Sequence, residues 1–142
     1  MSRKSVVTKV FITLVIVSAI LYNYSDYILG ILKARPDFQL SASSTLIKVG
    51  YVGSYNTTII TVRSINGLDS NVKLDVKPVL FILGIKFTLD PSEVHLPANK
   101  EVTCELKIEA ISTIAPGKYL IDVYGISGNI TRTVRITVEI SY

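Results

Sequence analysis

The chain has 142 residues, enough for one domain of ordinary size, and a single cysteine, which excludes an intrachain disulfide. Its formal charge of +4 belongs wholly to the first part of the chain, where Arg3, Lys4, Lys9, Lys33 and Arg35 face only Asp26. The remainder is neutral and lacks the clustered basic surface that nucleic-acid binding requires.

From Val6 to Leu21 the sequence reads VVTKVFITLVIVSAIL, with Lys9 its only charge, and Thr13, Ser18 and Asn23 are the only polar interruptions from Val10 to Tyr24. Spanning a bilayer takes about 20 helical residues, so a transmembrane helix with its extension is expected over 10–32. Tyr22, Tyr24 and Tyr27 suit the aromatic belt at its far end, and Lys9 can snorkel at the near one. The basic flank places residues 1–9 in the cytoplasm and everything after the helix outside. Bulky Tyr22-Asn23-Tyr24 offers no small-residue cleavage site, so an uncleaved signal-anchor is expected rather than a signal peptide. Tyr27–Leu32 reads as the same helix continuing or tilting, and Pro36 ends it. Residues 33–37 then form a short linker that keeps the following domain close to the bilayer.

Beyond Phe38 the pattern changes to period two. Val72–Lys77, Val102–Ala110 and Ile130–Ile140 alternate apolar and polar residues, with Arg132 alone on the apolar phase of the last. Alternation puts one face on a core and the other in water. Asn66-Gly67, Asp90-Pro91-Ser92, Ala115-Pro116-Gly117 and Ser127-Gly128-Asn129 supply turns, the last closing a terminal hairpin. The expected fold over 38–142 is all-β: an immunoglobulin-like two-sheet sandwich of about seven or eight strands.

The ordered segments Asp37-Phe38-Gln39-Leu40-Ser41, Ser64-Ile65-Asn66-Gly67, Leu89–Leu96, Pro116-Gly117-Lys118-Tyr119, Gly125–Gly128 and Arg132–Val138 carry a resemblance. Together they resemble the Ig-like domains of archaeal and bacterial secreted and surface proteins, often named α-galactosidase-associated or NPCBM-associated domains. The resemblance covers residues 37–142 and rests on the order of the set, since no one motif is specific. It implies a structural or binding module with no catalytic activity and no cofactor. The chain departs from the pattern in carrying one copy, and in the segment Pro78–Ile85.

That segment holds five apolar residues in succession, Val79, Leu80, Phe81, Ile82 and Leu83, where relatives tend to have a polar or Gly/Pro-containing loop. It reads either as a buried strand or loop folded over the core, or as an exposed patch that contacts a partner or the bilayer. Tyr119 stands where such sandwiches place a tyrosine corner, and Cys104 falls on the apolar phase of its strand as a core residue. His95 is the only histidine, without partners at metal-ligand spacing, and reads as a surface residue. Asn23, Asn56 and Asn129 head N-glycosylation sequons; Asn56 and Asn129 are the candidate sites, Asn23 lying too near the membrane.

The function expected is that of a non-catalytic, single-pass, membrane-anchored module facing outward in a prokaryotic envelope. High isoleucine without tryptophan suits a thermophilic prokaryote, and an archaeal envelope is the one expected. Its partners are the bilayer, through the helix, and an envelope protein such as a surface-layer, filament or membrane-complex component, met through a sheet face, an edge strand or the Val79–Leu83 loop. Pairing with a second copy is left open. The alternative is a carbohydrate-binding accessory module using Tyr51, Tyr55, Tyr124 and Tyr142 as a platform.

Overall fold

The computed structural model describes residues 3–32 and 34–141, with side chains described from residue 12 onward except at 23, 26, 28, 31 and 32. The side chains of Arg3, Lys4, Lys9, Asn23 and Asp26, and the whole of Lys33 and Tyr142, therefore lie outside the described set. The chain divides into two compact units, Met1–Arg35 and Pro36–Tyr142.

The first unit is one helix, α1 (Arg3–Leu32), 30 residues long. Its side chains from Ile12 to Tyr22 are all exposed, as are Tyr24, Tyr27 and Leu29. Two polar interruptions are turned back on the helix itself: Ser18 Oγ donates to Val15 O at 2.9 Å and Ser25 Oγ to Tyr22 O at 2.7 Å. Among the described residues no helix is long and apolar enough to cross a membrane.

The second unit contains nine strands among the described residues: β1 (Asp37–Ala42), β2 (Leu46–Val49), β3 (Tyr55–Ile65), β4 (Ser70–Pro78), β5 (Ile85–Asp90), β6 (Glu93–Leu96), β7 (Glu101–Ala110), β8 (Gly117–Ser127) and β9 (Ile130–Ile140). They form a four-stranded sheet in the order β1-β3-β7-β5 and a five-stranded sheet in the order β2-β9-β8-β4-β6. The count exceeds the seven or eight expected because β2 and β6 have four residues each, too few for alternation to stand out. All pairings are antiparallel except β2 with β9. The chain changes sheets at every connection from β1 to β8, passing from β5 to β6 through the Asp90-Pro91-Ser92 break, and only β8 and β9 follow one another within one sheet.

Period two sets the core. Phe38, Ile60, Val62, Leu106 and Ile108 point inward from one sheet and Val72, Ile121, Val123, Ile136 and Val138 from the other, each nearly solvent-free. Burying one such side chain stabilises the fold by about 1.5–3 kcal/mol. The Asn66-Gly67 turn takes up positive φ at both residues, 53° and 75°, as a tight reversal after β3 requires. Arg132 breaks the apolar phase of β9 between Ile130 and Val134, which both pack against the core. It is exposed, and its guanidinium hydrogen-bonds Asp37 at the start of β1.

One inward position must be empty. A Cβ on Gly125 would come within 2.8 Å of Phe38 Cε2 and 3.1 Å of Leu40 Cδ1, so β8 and β1 approach too closely there for any side chain. Gly125→Ala should destabilise the domain by about 1–3 kcal/mol through overpacking, read as a lower urea midpoint with an unchanged m-value.

Candidate functional site

Both outer sheet faces are occupied by ionic pairs. On the five-stranded sheet Arg135 grips Asp122 with Nε–Oδ1 2.7 Å and Nη2–Oδ2 2.9 Å, directly across the β8–β9 ladder. Lys77 lies over the Tyr124 ring at 5.8 Å and near Asp75 at 3.7 Å. On the four-stranded sheet Arg63 donates to Glu101 from Nε and Nη2, at 3.1 and 2.9 Å. Lys107 joins Glu109 at 3.1 Å and covers the Tyr55 ring at 4.3 Å. These faces are solvated and charged.

The apolar surface is concentrated at one end. The connections β2–β3 (50–54), β4–β5 (79–84) and β7–β8 (111–116) meet there. Gly53 N donates to Ala110 O at 2.7 Å and Ile111 N to Gly84 O at 2.8 Å, tying the three together. Leu80, Phe81 and Leu83 are 78%, 86% and 72% exposed, with Tyr51, Val52, Val79 and Ile111 exposed in the same group of loops. The segment Val79–Leu83 is thus neither a strand nor a buried cover. Only Ile82 among the five turns inward, packing against the core. Its inward plug and the Gly84 carbonyl hold the loop in place. Beneath the loop a cavity of about 140 Å³ is lined by Val79, Leu80, Ile82, Lys118, Tyr119 and Leu120.

Asp37 pairs with Ile65 and Tyr55 with Glu109, so the chain enters the sandwich at the end remote from these loops. Gly84 makes the loop's exit turn. Its φ is +89°, and a Cβ there would lie 2.4 Å from Ser112 Oγ and 3.0 Å from Ile114 Cγ1.

The other sequence candidates are distributed elsewhere. Tyr119 Oη donates to Ala115 O at 2.7 Å, the corner bond expected of it. Cys104 is buried, and burial pushes its thiol up to about 11. His95 is exposed, with Nδ1 3.0 Å from Asn71 Oδ1 and Nε2 3.4 Å from Asp69 Oδ1. Among the described residues no group of acids, histidine and cysteine could hold a metal ion. Asn56 donates from Nδ2 to Lys48 O at 3.0 Å and accepts from Thr57 N at 2.8 Å, while the Thr58 of its sequon is buried. Asn129 is exposed in the β8–β9 turn. The tyrosines named for a sugar platform are not gathered: Tyr51 and Tyr55 belong to the loop end, Tyr124 to the opposite sheet, and Tyr142 lies outside the described residues. Sequence reading missed Tyr51, Val52 and Ile111 as members of the apolar end, since their only signal was an apolar residue beside a turn.

No family model matches the chain, and neither does any curated protein. Solved structures do. Domains 4 and 5 of the S-layer protein SbsC match with a TM-score of 0.52 at 17% identity, over 78% of this chain and 48% of that one. The fold is an immunoglobulin-like β-sandwich. A FixG-related protein from Vibrio parahaemolyticus matches with a TM-score of 0.56 at 9% identity, over 77% of this chain and 99% of its own length. A family 123 glycoside hydrolase from Clostridium perfringens matches with a TM-score of 0.58 at 12% identity. That match covers 73% of this chain but only 27% of the hydrolase. At these identities the likeness is one of fold.

Two outcomes follow. Gly84→Ala should cost about 1–3 kcal/mol for an L-residue forced into that backbone region, with faster amide exchange at Ile111 as the local sign. Hydrogen bonds from Arg135 hold the Asp122 carboxyl below its ordinary range, against the opposing effect of burial, and Arg132 does the same for Asp37. A lowered native value means the pair stabilises fully above the unfolded value of roughly 3.9 and loses that contribution as pH falls through the native one. Asp122→Asn should therefore lower the urea midpoint near neutrality, and the gap to wild type should close on acidification; a gap independent of pH would exclude the pair as its cause.

Proposed function

We propose that the chain is a non-catalytic, membrane-anchored module whose sandwich binds another protein of a prokaryotic envelope through its apolar end. The observation that carries this reading is the exposure of Leu80, Phe81 and Leu83 together, on a domain whose sheet faces are ionic. Burying these side chains against a partner would remove them from water at about 25 cal/mol per Å². Contiguous apolar surface of this kind marks interaction sites in soluble domains.

The anchor part of the proposal rests on the charge-poor run after Lys9, the basic residues before it and the tyrosines beyond it. The serine hydroxyls satisfied on α1 itself fit an apolar surround. On this reading the sandwich lies outside the cell, as part of an envelope assembly of surface-layer, filament or membrane-complex type. It is a relative of the Ig-like domains of archaeal and bacterial surface proteins.

The test is chemical cross-linking in native membranes, with the partner identified from the adduct. Replacing Leu80 and Phe81 together by Ser should abolish recovery of that partner while leaving the thermal midpoint of the sandwich unchanged, since neither side chain is in the core. Recovery undiminished by the double substitution would overturn the proposal. Protease added to intact cells should cut within the sandwich and spare residues 1–9.

A further inference from the structure

An open sandwich has four sheet edges, and the chain's own groups cover part of three of these. On β2 the residues facing away from β9 are Leu46, Lys48 and Gly50, since Thr45 O and Val49 O accept from Thr137 and Ser141 on the β9 side. Ser44 Oγ both accepts from Leu46 N and donates to Leu46 O; Asn56 Nδ2 covers Lys48 O, and Ser54 Oγ takes Gly50 N. On the far side of the five-stranded sheet, β6 is four residues long and covers only the first part of β4. Past it, Ser92 O takes Leu74 N, Asp75 Oδ1 takes Val76 N, and Pro78 has no N–H to offer. On β1, Asp37 Oδ1 takes Phe38 N while Arg132 holds the other carboxylate oxygen, which covers the first outward group and leaves those of Leu40 and Ala42 open.

β5 differs. The bond from Ile111 N to Gly84 O fixes which of its residues face β7. Lys86, Thr88 and Asp90 follow Gly84 into that ladder, so the N–H and C=O groups of Ile85, Phe87 and Leu89 point away from it. No described residue hydrogen-bonds them from that side. Beside this edge the two sheets part, leaving a cleft of about 270 Å³ lined by Leu74, Val76, Phe87 and Leu89, with Asp75 and Ser92 at its rim. The β4–β5 connection, with exposed Leu80, Phe81 and Leu83, leads directly into β5.

We infer that the free edge of β5 receives an extended segment of the partner protein, which adds as a fifth strand beyond β5. The inference rests on the protein-binding function proposed above and states the form the partner takes. Free backbone groups at alternate residues demand a strand rather than a helix. A strand in that position places every second side chain over the cleft, so the segment carries apolar residues at alternate positions, long enough to meet Val76, Phe87 and Leu89. Its continuation past Ile85 reaches the loop residues, which makes edge and loop one surface.

The test uses the full chain in detergent micelles with a synthetic peptide, Lys-Val-Thr-Val-Thr-Val-Lys, capped at both ends. A second peptide of the same sequence is N-methylated along the edge that would face β5. Residue-resolved amide exchange is followed on the protein. The first peptide should slow exchange at Ile85, Phe87 and Leu89 by about tenfold or more and leave Lys86 and Thr88, already in the β7 ladder, unchanged. The methylated peptide should have no effect. Absence of protection at those three amides, or equal protection by both peptides, overturns strand addition. Protection that rises with protein concentration in the absence of peptide assigns the edge to a second copy and also overturns it. If strand addition fails while the Leu80/Phe81 double substitution still abolishes partner recovery, the loop binds without the edge. If the double substitution has no effect on recovery, the function proposed above fails whatever the peptide does.

Discussion

A sheet that does not close on itself leaves a row of backbone donors and acceptors along each edge, and the organisation of this sandwich follows from how those rows are met. The β2 edge is closed by Ser44, Ser54 and Asn56, three short polar side chains that reach back from adjoining turns and from β3. β4 is closed partly by β6 and partly by its own Asp75 and Pro78. Each device costs little, since the side chains lie within one to eight residues of the groups they cover. They also give Asn56 a structural task, because its amide links β3 in one sheet to β2 in the other.

The two inner faces carry the stability, and they dictate the rest of the surface. Alternation runs along β3, β7, β8 and β9, broken on β9 by Arg132, so most inward positions are aliphatic or small and the outward ones are free to be charged. The chain uses that freedom for cross-strand ion pairs, so the sheet faces stay wet and unsuited to apolar contact. Gly125 shows how tightly the sheets meet: the space a methyl group would take is filled by the Phe38 ring and Leu40. Apolar residues that cannot enter this core are displaced to the connections. The β4–β5 connection takes most of them, with one residue, Ile82, directed inward to hold it.

Similarity to an S-layer domain pair, a FixG-related protein and part of a glycoside hydrolase speaks to this scaffold alone. The sandwich appears both as a whole chain and as a minor part of a catalytic one, so chemistry must come from sites added to it. On this chain the additions are an apolar end and an uncapped strand. His95 lies apart from both loop and strand, held on β6 of the other sheet by Asn71 and Asp69.

Much of the architecture was legible from residue order. Period two gave the long strands and their inner faces; Asn66-Gly67 and Gly128-Asn129 gave the tight turns, and the position of Tyr119 after Pro116-Gly117 gave the corner bond. Concentration of the basic residues in the first unit was likewise a fact of the sequence. These features are local, and local steric and hydrophobic preferences act between residues close in the chain. The short strands β2 and β6 escaped notice because four residues do not establish a period. Whether Val79–Leu83 is buried or exposed could not be read from five successive apolar residues, since a buried strand and an exposed loop share that composition. Only the tertiary structure decided it, by filling the core from other strands and leaving room for Ile82 alone. The open edge of β5 is of the same kind: which strand lies outermost, and which of its N–H groups face outward, depend on pairings between segments tens of residues apart, and no single segment records them.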